Sequence, residues 1–242
     1  MSNFLKRLEP LHRRHGVHEV FRSFVHLAAC ALANQTREAE YLAEAKRYQR
    51  DELDVFAHAL ADLINDMEAE PFADLLGPAY MDTLGKRGQS WNGEFHTPPA
   101  VCQLIARIVA GDSPALPDTG PITLSEPACG AGAMILAFAE ALPNKADIRR
   151  LRVTAIDINR TACDMCFINT TLWGIPCRVI HGDTLRLNFN AAWANIHLIA
   201  PWLAAGLRVP EQGHPPDVHE TASIVRAVHA EQLGFKFAEV TA

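Results

Sequence analysis

The sequence predicts an α/β domain with a parallel sheet, preceded by an amino-terminal helical segment. Three observations support this. Residues 16–84 repeat apolar side chains every three to four positions, which is typical of amphipathic helices. The apolar strand residues Ile122 and Leu124 then lead into a glycine-containing turn that opens a helix. Two further short strands follow, and each ends in a carboxylate.

The helical segment contains three predicted helices. Their apolar faces are, in order, Val17, Val20, Phe21, Phe24, Val25, Ala28, Ala31 and Leu32; then Tyr41, Leu42, Ala45 and Tyr48; then Val55, Phe56, Ala59, Leu60, Leu63 and Ile64. We therefore assign residues 1–90 to a helical segment and residues 91–242 to the α/β domain.

The turn spans Ser125-Glu126-Pro127-Ala128-Cys129-Gly130-Ala131-Gly132. A Gly-x-Gly turn lets backbone N–H groups approach a ligand closely, and the acid at the strand's end suits ribose hydroxyls or a cationic group. No Gly-Lys-Ser/Thr follows, so this is not a phosphate loop. A tight turn with a purely structural role remains the alternative.

The next strand, residues 152–157, ends at Asp157, and a helix is predicted from Arg160 to Trp173. The third strand, Cys177 to Ile180, ends at His181-Gly182-Asp183. In a parallel sheet, Glu126, Asp157 and Asp183 share one edge, where ligands of such folds bind. A single acid at a strand end is more often a helix cap or turn former, but three in succession favour a binding edge.

Two motifs carry a resemblance to a known family. The turn from Glu126 to Gly132 resembles the Asp-Pro-Ala-Cys-Gly-x-Gly motif, with Glu126 in place of Asp, and Gly93-Glu94-Phe95-His96-Thr97-Pro98 resembles Gly-x-Phe-Tyr-Thr-Pro, with His96 in place of Tyr. Both belong to the S-adenosylmethionine-dependent adenine-N6 DNA methyltransferases, especially the modification subunits of type I restriction systems. The resemblance covers residues 18–202 and implies a Rossmann-like class I methyltransferase fold.

The resemblance also implies a cofactor pocket. Its residues in this sequence are Thr97, Pro98, Glu126, Ala128, Gly130, Gly132, Asp157, Ile158 and Asp183. By analogy, Asp157 accepts from the ribose hydroxyls, Asp183 from the adenine amino group, and Thr97 donates to the methionine carboxylate, each a charge-assisted bond. Thr97-Pro98-Pro99 is equally typical of a helix start, and both roles can hold together.

The catalytic motif of the family is incomplete. Its Asn/Asp-Pro-Pro-aromatic motif follows the fourth strand and holds a flipped adenine. Here the predicted strand Asn195 to Leu198 is followed by Ile199-Ala200-Pro201-Trp202, which keeps Pro201 and Trp202 as candidate catalytic residues. Ile199 has no acceptor, and losing such a group costs about 3–4 kcal/mol of transition-state stabilisation. The alternative for Pro201-Trp202 is a strand end capped by a packed aromatic ring.

Forty residues follow Trp202, with a loop at residues 209–216, a predicted helix from Val218 to Leu233 and a predicted fifth strand from Phe235 to Val240. The resemblance implies seven strands, so the expected sheet is incomplete, with about five parallel strands. The third strand is expected to be outermost, and the fourth to lie parallel to its neighbours. A partner protein or a second copy is expected to complete the sheet, unless the chain is a reduced form of the family.

The composition narrows the classes of protein to which this chain can belong. The chain has 242 residues, 49% of them hydrophobic, without an apolar run long enough to span a membrane or a visible signal peptide, so we expect a cytoplasmic protein with reduced cysteines. Cys163-x-x-Cys166 is expected on a buried helical face, and no metal is expected. A net charge of −6 gives no electrostatic case for DNA binding, so DNA as a partner rests on the resemblance.

Three functional hypotheses follow. The first is an adenine-N6 DNA methyltransferase, acting alone or in an assembly. The second is a non-catalytic, cofactor-binding accessory or regulatory protein of a DNA-modification system or mobile element. The third is an interaction module of the same fold that has lost the cofactor too. The acids and glycines argue against the third. Ile199 and the short tail favour the second on chemical grounds, whereas the family resemblance favours the first, which is the function that we expect.

Overall fold

A computed structural model describes residues 2–33, 35–92, 97–110, 116–117 and 119–199, with the backbone alone for residues 85–92. The predicted features at residues 93–96, and all of those from Ala200 onward, lie outside the described residues. The helices are α1 (Asn3–His15), α2 (Val17–Leu32), α3 (Glu38–Ala45), α4 (Arg50–Ala69), α5 (Leu76–Asn92), α6 (Pro99–Ala110), α7 (Ala133–Ala141), α8 (Arg160–Leu172) and α9 (Ile196–Ile199). The strands are β1 (Ile122–Glu126), β2 (Leu151–Asp157), β3 (Cys177–Asp183) and β4 (Asn188–Ala194).

The amino-terminal region contains five helices where the sequence predicted three. Helix α1 was missed, although Phe4, Leu8 and Leu11 form a buried stripe at helical spacing. The residues at the centre of each predicted apolar face are buried, whereas some residues at its margins are exposed. Val20, Phe21 and Phe24 are buried, whereas Val17 and Leu42 are exposed, because a helix buries only the part of its apolar arc that meets a neighbour.

The three predicted strands that end in acids are confirmed. β1 pairs in parallel with β2, and β2 in parallel with β3. Helix α7 and a short 3-10 helix (Lys145–Arg150) connect β1 to β2, and α8 connects β2 to β3. The described sheet is therefore a mixed α/β arrangement of four strands in the order β1-β2-β3-β4.

The prediction for the fourth strand is wrong. β4 begins earlier, at Asn188, and runs antiparallel to β3, so the third strand is not outermost, and residues 196–199 form α9. The turn after β3 explains the difference, because Leu187 adopts a left-handed φ of 52° and the chain reverses within four residues. Asn195 then starts α9, its Oδ1 accepting from the Leu198 N–H at 3.2 Å.

The main core lies on one face of the sheet. Leu151, Val153 and Ala155 of β2 point into it, together with buried residues of α7 and α8. Ile156 and Ile180 point to the other face, where they form a small cluster with Phe189 and Ala192. Helices α2 and α5 pack on α8, so the helical region joins the same side of the sheet.

All six cysteines are free and buried, including Cys163 and Cys166, which lie on α8 as predicted. Within the described ranges, no helix is both long and apolar enough to cross a bilayer.

Candidate functional site

The glycine turn joins β1 to α7 through two residues with positive φ. Gly130 has φ 52° and Gly132 has φ 90°. A Cβ atom on Gly132 would lie 3.2 Å from the Cys166 sulfur, so space as well as φ favours glycine there. Gly132 is the N-cap of α7, which leaves the first backbone N–H groups of that helix at the mouth of the turn.

Asp157 lies beside this turn. Its Oδ2 accepts from the Gly130 N–H at 2.8 Å, and its Oδ1 accepts from the Asn159 N–H at 2.8 Å. The side chain of Asn159 in turn caps α8 by accepting from the Thr161 N–H at 2.8 Å. The carboxylate therefore fixes the glycine turn and the start of α8 to the same strand end.

Glu126 ends β1 on the same edge. Its Oε1 accepts from the Ala128 N–H at 3.3 Å. Burial raises the pKa of the Glu126 carboxyl above its ordinary value, the Ala128 bond opposes that shift, and the charge of Asp157 adds to it. The negative charges of the Glu126 and Asp157 carboxylates therefore repel each other across the turn.

Asp183 reaches this edge through the loop that follows β3. The Thr184 hydroxyl donates to the Pro127 carbonyl at 2.7 Å, which ties that loop to the turn after β1. Asp183 itself accepts from the Arg186 backbone N–H and from its guanidinium, both at 3.0 Å. The pKa of Asp183 lies below its ordinary value, mainly because of the hydrogen bond from the Arg186 backbone N–H. The Arg186 guanidinium lowers this pKa further.

Ile158 follows Asp157, and His181 of β3 lies opposite Asp157 in the register of β2 and β3. Ile158 is 66% exposed although it is a large apolar residue, and its carbonyl is 3.0 Å from His181 Nε2. An exposed isoleucine beside a hydrogen-bonding edge offers a flat apolar contact to an aromatic ligand.

Thr97 and Pro98 precede α6, and both are exposed. The Pro98 carbonyl accepts the Val101 and Cys102 N–H groups at 2.9 and 3.1 Å, which begins the helix. Burial raises the pKa of the Cys102 thiol, and the charges of Asp74 and Glu126 raise it further.

Several residues of this edge were missed by sequence reasoning. Buried Asn169 donates to the Ala131 carbonyl at 2.8 Å and to Asp74 at 3.1 Å, joining the glycine turn to the helical region. Thr184, Arg186 and His181 were also missed. Only Asn159 had a readable signature, an Asn directly before a helix.

A cavity of about 460 Å³ lies elsewhere, between the helical region and helices α6 and α7. Its lining includes Asp74, Cys102 and Glu140, but none of Glu126, Asp157 and Asp183. The convergent strand ends, rather than this cavity, match the chemistry of the predicted site.

The described residues also contain one group that is spaced for a metal ion, namely His26, Cys30 and Glu40, whose candidate ligand atoms lie within 4.8 Å of one another. Arg37 and Arg160 already bind Glu40, and Asp164 binds His26 at 2.8 Å. The charge of Glu40 is therefore balanced by Arg37 and Arg160, and that of His26 by Asp164.

The candidate catalytic residues Pro201 and Trp202 lie outside the described residues. Ile199, just before them, ends α9, and α9 lies beside the beginning of β3, because the Asn195 N–H donates to the Cys177 carbonyl at 3.0 Å. The beginning of β3 lies at the opposite end of the strands from Asp157 and Asp183. The prediction that Ile199 ends a parallel strand at the binding edge is wrong.

The described residues therefore form an α/β protein with a mostly parallel sheet, in which a glycine turn and three acids lie at the carboxyl ends of the parallel strands. Comparison with known families makes this specific. The chain belongs to the N-6 DNA methylase family, whose model matches residues 72–201.

Two comparisons with individual proteins also gave a match. The chain is similar to the type I restriction enzyme MpnII methylase subunit of Mycoplasma pneumoniae, with 27% identity over 145 residues, which is 59% of this chain and 22% of that protein. It therefore spans less than a quarter of that relative's length. The crystal structure of a type I restriction-modification system methyltransferase subunit from Streptococcus thermophilus matches with a TM-score of 0.38 and 15% identity, covering 76% of this chain and 59% of that one.

Proposed function

We propose that this chain binds S-adenosylmethionine at the edge formed by Glu126, Asp157 and Asp183. The observation that carries the proposal is the bond from Thr184 to the Pro127 carbonyl at 2.7 Å, since it joins the third acid's loop to the glycine turn. The bond from Gly130 to Asp157 joins the second acid to the same turn. A ligand with a ribose and an amino-substituted base fits the carboxylate acceptors at this edge. The first backbone N–H groups of α7 are the donors that its carboxylate would meet, because the N–H groups of the turn itself already bind within the protein.

Each residue has a role in this proposal. Asp157 accepts the ribose hydroxyls, because each of its oxygens accepts one backbone N–H and has a second lone pair with which to accept another bond. Asp183 accepts the adenine amino group, and Ile158 packs on the adenine ring. The backbone of Ala128, Gly130 and Gly132 faces the ligand closely, while Thr97 and Pro98 contact its methionine end.

The reaction that we propose is methyl transfer to N6 of adenine in DNA. The methyl group moves from the sulfonium sulfur to the nitrogen, and the nitrogen loses a proton. A family member of this kind needs an acceptor for the N6 hydrogens, and Ile199 offers none. We expect the chain alone to be weakly active, slower by a factor of about 10² to 10³. Pro201 and Trp202 are expected to contact the flipped base only where the chain after Ile199 returns to the cofactor end of the strands.

The second candidate is a non-catalytic, cofactor-binding accessory or regulatory protein of a DNA-modification system or mobile element. The position of Ile199 in α9 favours it, because α9 lies beside Cys177, at the edge of the sheet away from the proposed cofactor. Methyl transfer distinguishes the two candidates.

We also propose DNA and a protein subunit as partners in the cytoplasm, since the relative that the chain resembles is a type I methylase subunit. Residues 91–242 form the cofactor-binding methyltransferase-like domain in this proposal, and the helical residues 1–90 support contacts with partners. Because the net charge of −6 gives no electrostatic case for tight DNA binding by this chain, we expect a partner to contribute a basic surface.

Titration calorimetry of the full chain with S-adenosylmethionine tests cofactor binding. Asp157→Ala is expected to weaken affinity roughly ten- to a hundredfold, because bonds from the ribose hydroxyls to a charged acceptor are lost. Asp147→Ala is the matched control, an acid before β2 at the other edge, and it is expected to leave affinity unchanged. No heat and no shift of the melting temperature at millimolar cofactor would overturn the proposal.

Tritiated methyl incorporation into genomic DNA tests the reaction. Wild type, Asp157→Ala, and Ile199→Asn combined with Ala200→Pro are compared. Slow incorporation that Asp157→Ala abolishes supports a weak enzyme, and its complete absence despite cofactor binding supports the accessory protein. Fast wild-type turnover would show that the acceptor lies elsewhere in the chain.

A further inference from the structure

Asn169, on α8, is a fully buried amide whose hydrogen-bonding capacity is only half satisfied. It is 0% exposed, and its Nδ2 donates to the Ala131 carbonyl at 2.8 Å and to Asp74 Oδ1 at 3.1 Å. Among the described residues, none donates to its Oδ1. A buried acceptor without a partner costs free energy, and a leucine of similar size would avoid that cost. The two N–H groups are therefore the reason for an amide at this position.

The orientation of this amide is fixed by its two partners. Both the Ala131 carbonyl and the Asp74 carboxylate are acceptors, so a rotated amide would direct its oxygen at another oxygen. Asp74 is itself held in place, because its Oδ1 also accepts from the Leu76 and Gly77 N–H groups at the start of α5. Asn169 therefore presents a fixed donor to the glycine turn.

The peptide between Ala131 and Gly132 is the part of the turn that Asn169 holds. Its carbonyl accepts from Asn169, and its N–H donates to the Cys129 carbonyl at 2.8 Å. Gly132 has φ 90° and is the N-cap of α7. Glycine adopts negative φ as readily as positive φ, so the backbone itself would allow this peptide to rotate. The bond from Asn169 opposes that rotation.

Rotation of this peptide would turn the Ala131 carbonyl oxygen away from α8, beside the first N–H groups of α7, which follow directly in the chain. Those N–H groups have no partner within the helix, and the helix dipole makes this end attractive to an anion. A carbonyl oxygen carries a partial negative charge, so in the rotated position it would compete with a ligand carboxylate. The bond to Asn169 keeps that place free.

We propose that Asn169 is a positioning residue for the carboxylate of the cofactor. It acts through the peptide between Ala131 and Gly132, which it holds with the carbonyl toward α8. This role rests on the proposed binding of S-adenosylmethionine, whose methionine carboxylate would meet the first N–H groups of α7. The adenosine part is bound by Asp157 and Asp183 in the same proposal, and its binding does not require Asn169.

Asn195 provides a matched control, because it is an equally buried amide with a different environment. Its Nδ2 donates to the Ile175 carbonyl at 2.7 Å, and its Oδ1 accepts from the Cys177 and Leu198 N–H groups, both at 3.2 Å. These bonds lie at the beginning of β3, away from the glycine turn. Asn169→Leu and Asn195→Leu are both expected to lower the melting temperature, but only the first is expected to change the cofactor site.

Titration calorimetry of the full chain with two ligands tests the proposal. The ligands are S-adenosylmethionine and 5′-methylthioadenosine, which contains the adenosine but lacks the methionine carboxylate. Asn169→Leu is expected to weaken the affinity for S-adenosylmethionine about tenfold and to leave that for methylthioadenosine unchanged. Asp157→Ala is expected to weaken both, since both ligands contain the ribose, and Asn195→Leu neither. Asn169→Ala removes the same donors and is measured in the same way if Asn169→Leu does not fold.

Hydrogen exchange of the Gly132 amide gives a second measurement, which needs no ligand. Rotation of the peptide breaks the bond from this amide to the Cys129 carbonyl, so Asn169→Leu is expected to speed its exchange about tenfold and Asn195→Leu to leave it unchanged.

The outcomes separate the two proposals. Wild-type protein that binds neither ligand would overturn the proposed function and this role of Asn169 with it. If the wild type binds both ligands, equal weakening of both by Asn169→Leu, no weakening of either, or unchanged exchange of the Gly132 amide would overturn the role of Asn169 alone.

Discussion

Asp157 and Asp164 lie seven residues apart, yet their carboxylates have opposite surroundings. Asp157 accepts two backbone N–H groups at the end of β2. Asp164, on α8, has a side chain only 2% exposed and binds Arg37 and His26, each at 2.8 Å. Backbone donors orient a carboxylate but leave it able to bind a ligand, whereas buried cations neutralise it. The comparison separates a candidate binding acid from a structural one.

The buried acid belongs to a cluster that joins the helical region to the sheet. Arg37, whose side chain is fully buried, also binds Glu40 at 3.0 Å, and its guanidinium stacks on Trp193 at 4.6 Å. Arg160 stacks on the same ring at 4.1 Å. The cluster therefore connects α3, α8 and β4, and it explains why α2 and α3 pack where they do.

The largest expected effect is the loss of Asp164. Asp164→Ala leaves the Arg37 guanidinium buried without its main partner, which is expected to lower the free energy of unfolding by about 3–5 kcal/mol. Urea denaturation measures it. The control is Asp147→Ala, which removes a partly exposed pair with Arg150 and is expected to cost less than about 1 kcal/mol. Equal effects would show that burial does not distinguish the two pairs.

The glycine turn gives the next largest effect. Gly132→Ala is expected to cost about 2–3 kcal/mol, because it adds backbone strain at φ 90° and a contact with the Cys166 sulfur. Gly120→Ala is the matched control, since Gly120 has φ 82° and open space around it. A difference between the variants measures the contact, and it should shrink when Cys166→Ala is added. Identical losses would assign the whole effect to the backbone.

A smaller effect is the pH dependence of the unfolding free energy, which we expect from the buried cluster of His26 and Asp164. The hydrogen bond to Asp164 is the main cause that raises the pKa of His26 to about 9. The protonated ring is therefore favoured in the folded state, and its stabilisation is complete below pH of about 6.5 and lost as pH rises through about 9. After allowance for partial exposure, we expect roughly 1–2 kcal/mol across this window.

Urea unfolding between pH 6 and 9.5 checks this expectation. His26→Gln is expected to flatten the decline in stability, whereas His58→Gln, on the exposed side of α4, leaves it in place. A decline that persists in His26→Gln would assign it to other groups.

The smallest effect concerns Asp183 and Arg186. Arg186 is 83% exposed, so Arg186→Ala is expected to leave the unfolding midpoint unchanged. The pKa of Asp183 should stay below its ordinary value, because the Arg186 backbone N–H, the larger cause, is retained. Carbon-13 NMR titration of Asp183 reads this pKa. A return to the ordinary value would show that the guanidinium dominates.

Local sequence patterns were enough to predict the strands that end at Glu126, Asp157 and Asp183. A short apolar run followed by Gly, Asn or Asp is a local pattern, and parallel pairing brings such ends to one edge whatever the rest of the chain does. The sequence also predicted α8, from Arg160 to Trp173, and the helix spans Arg160–Leu172.

The direction of β4 and the partners of the buried charges depend on tertiary packing. The reversal at Leu187 turns β4 back along β3, which no apolar pattern in residues 188–199 signals, so the chain reaches Ile199 at the opposite edge. Likewise, Asp164 and Arg37 lie 127 positions apart in sequence, and nothing local marks either as buried. Polar residues acquire such partners only when distant elements pack, because the cost of burying a charge is offset by contacts that the fold alone supplies.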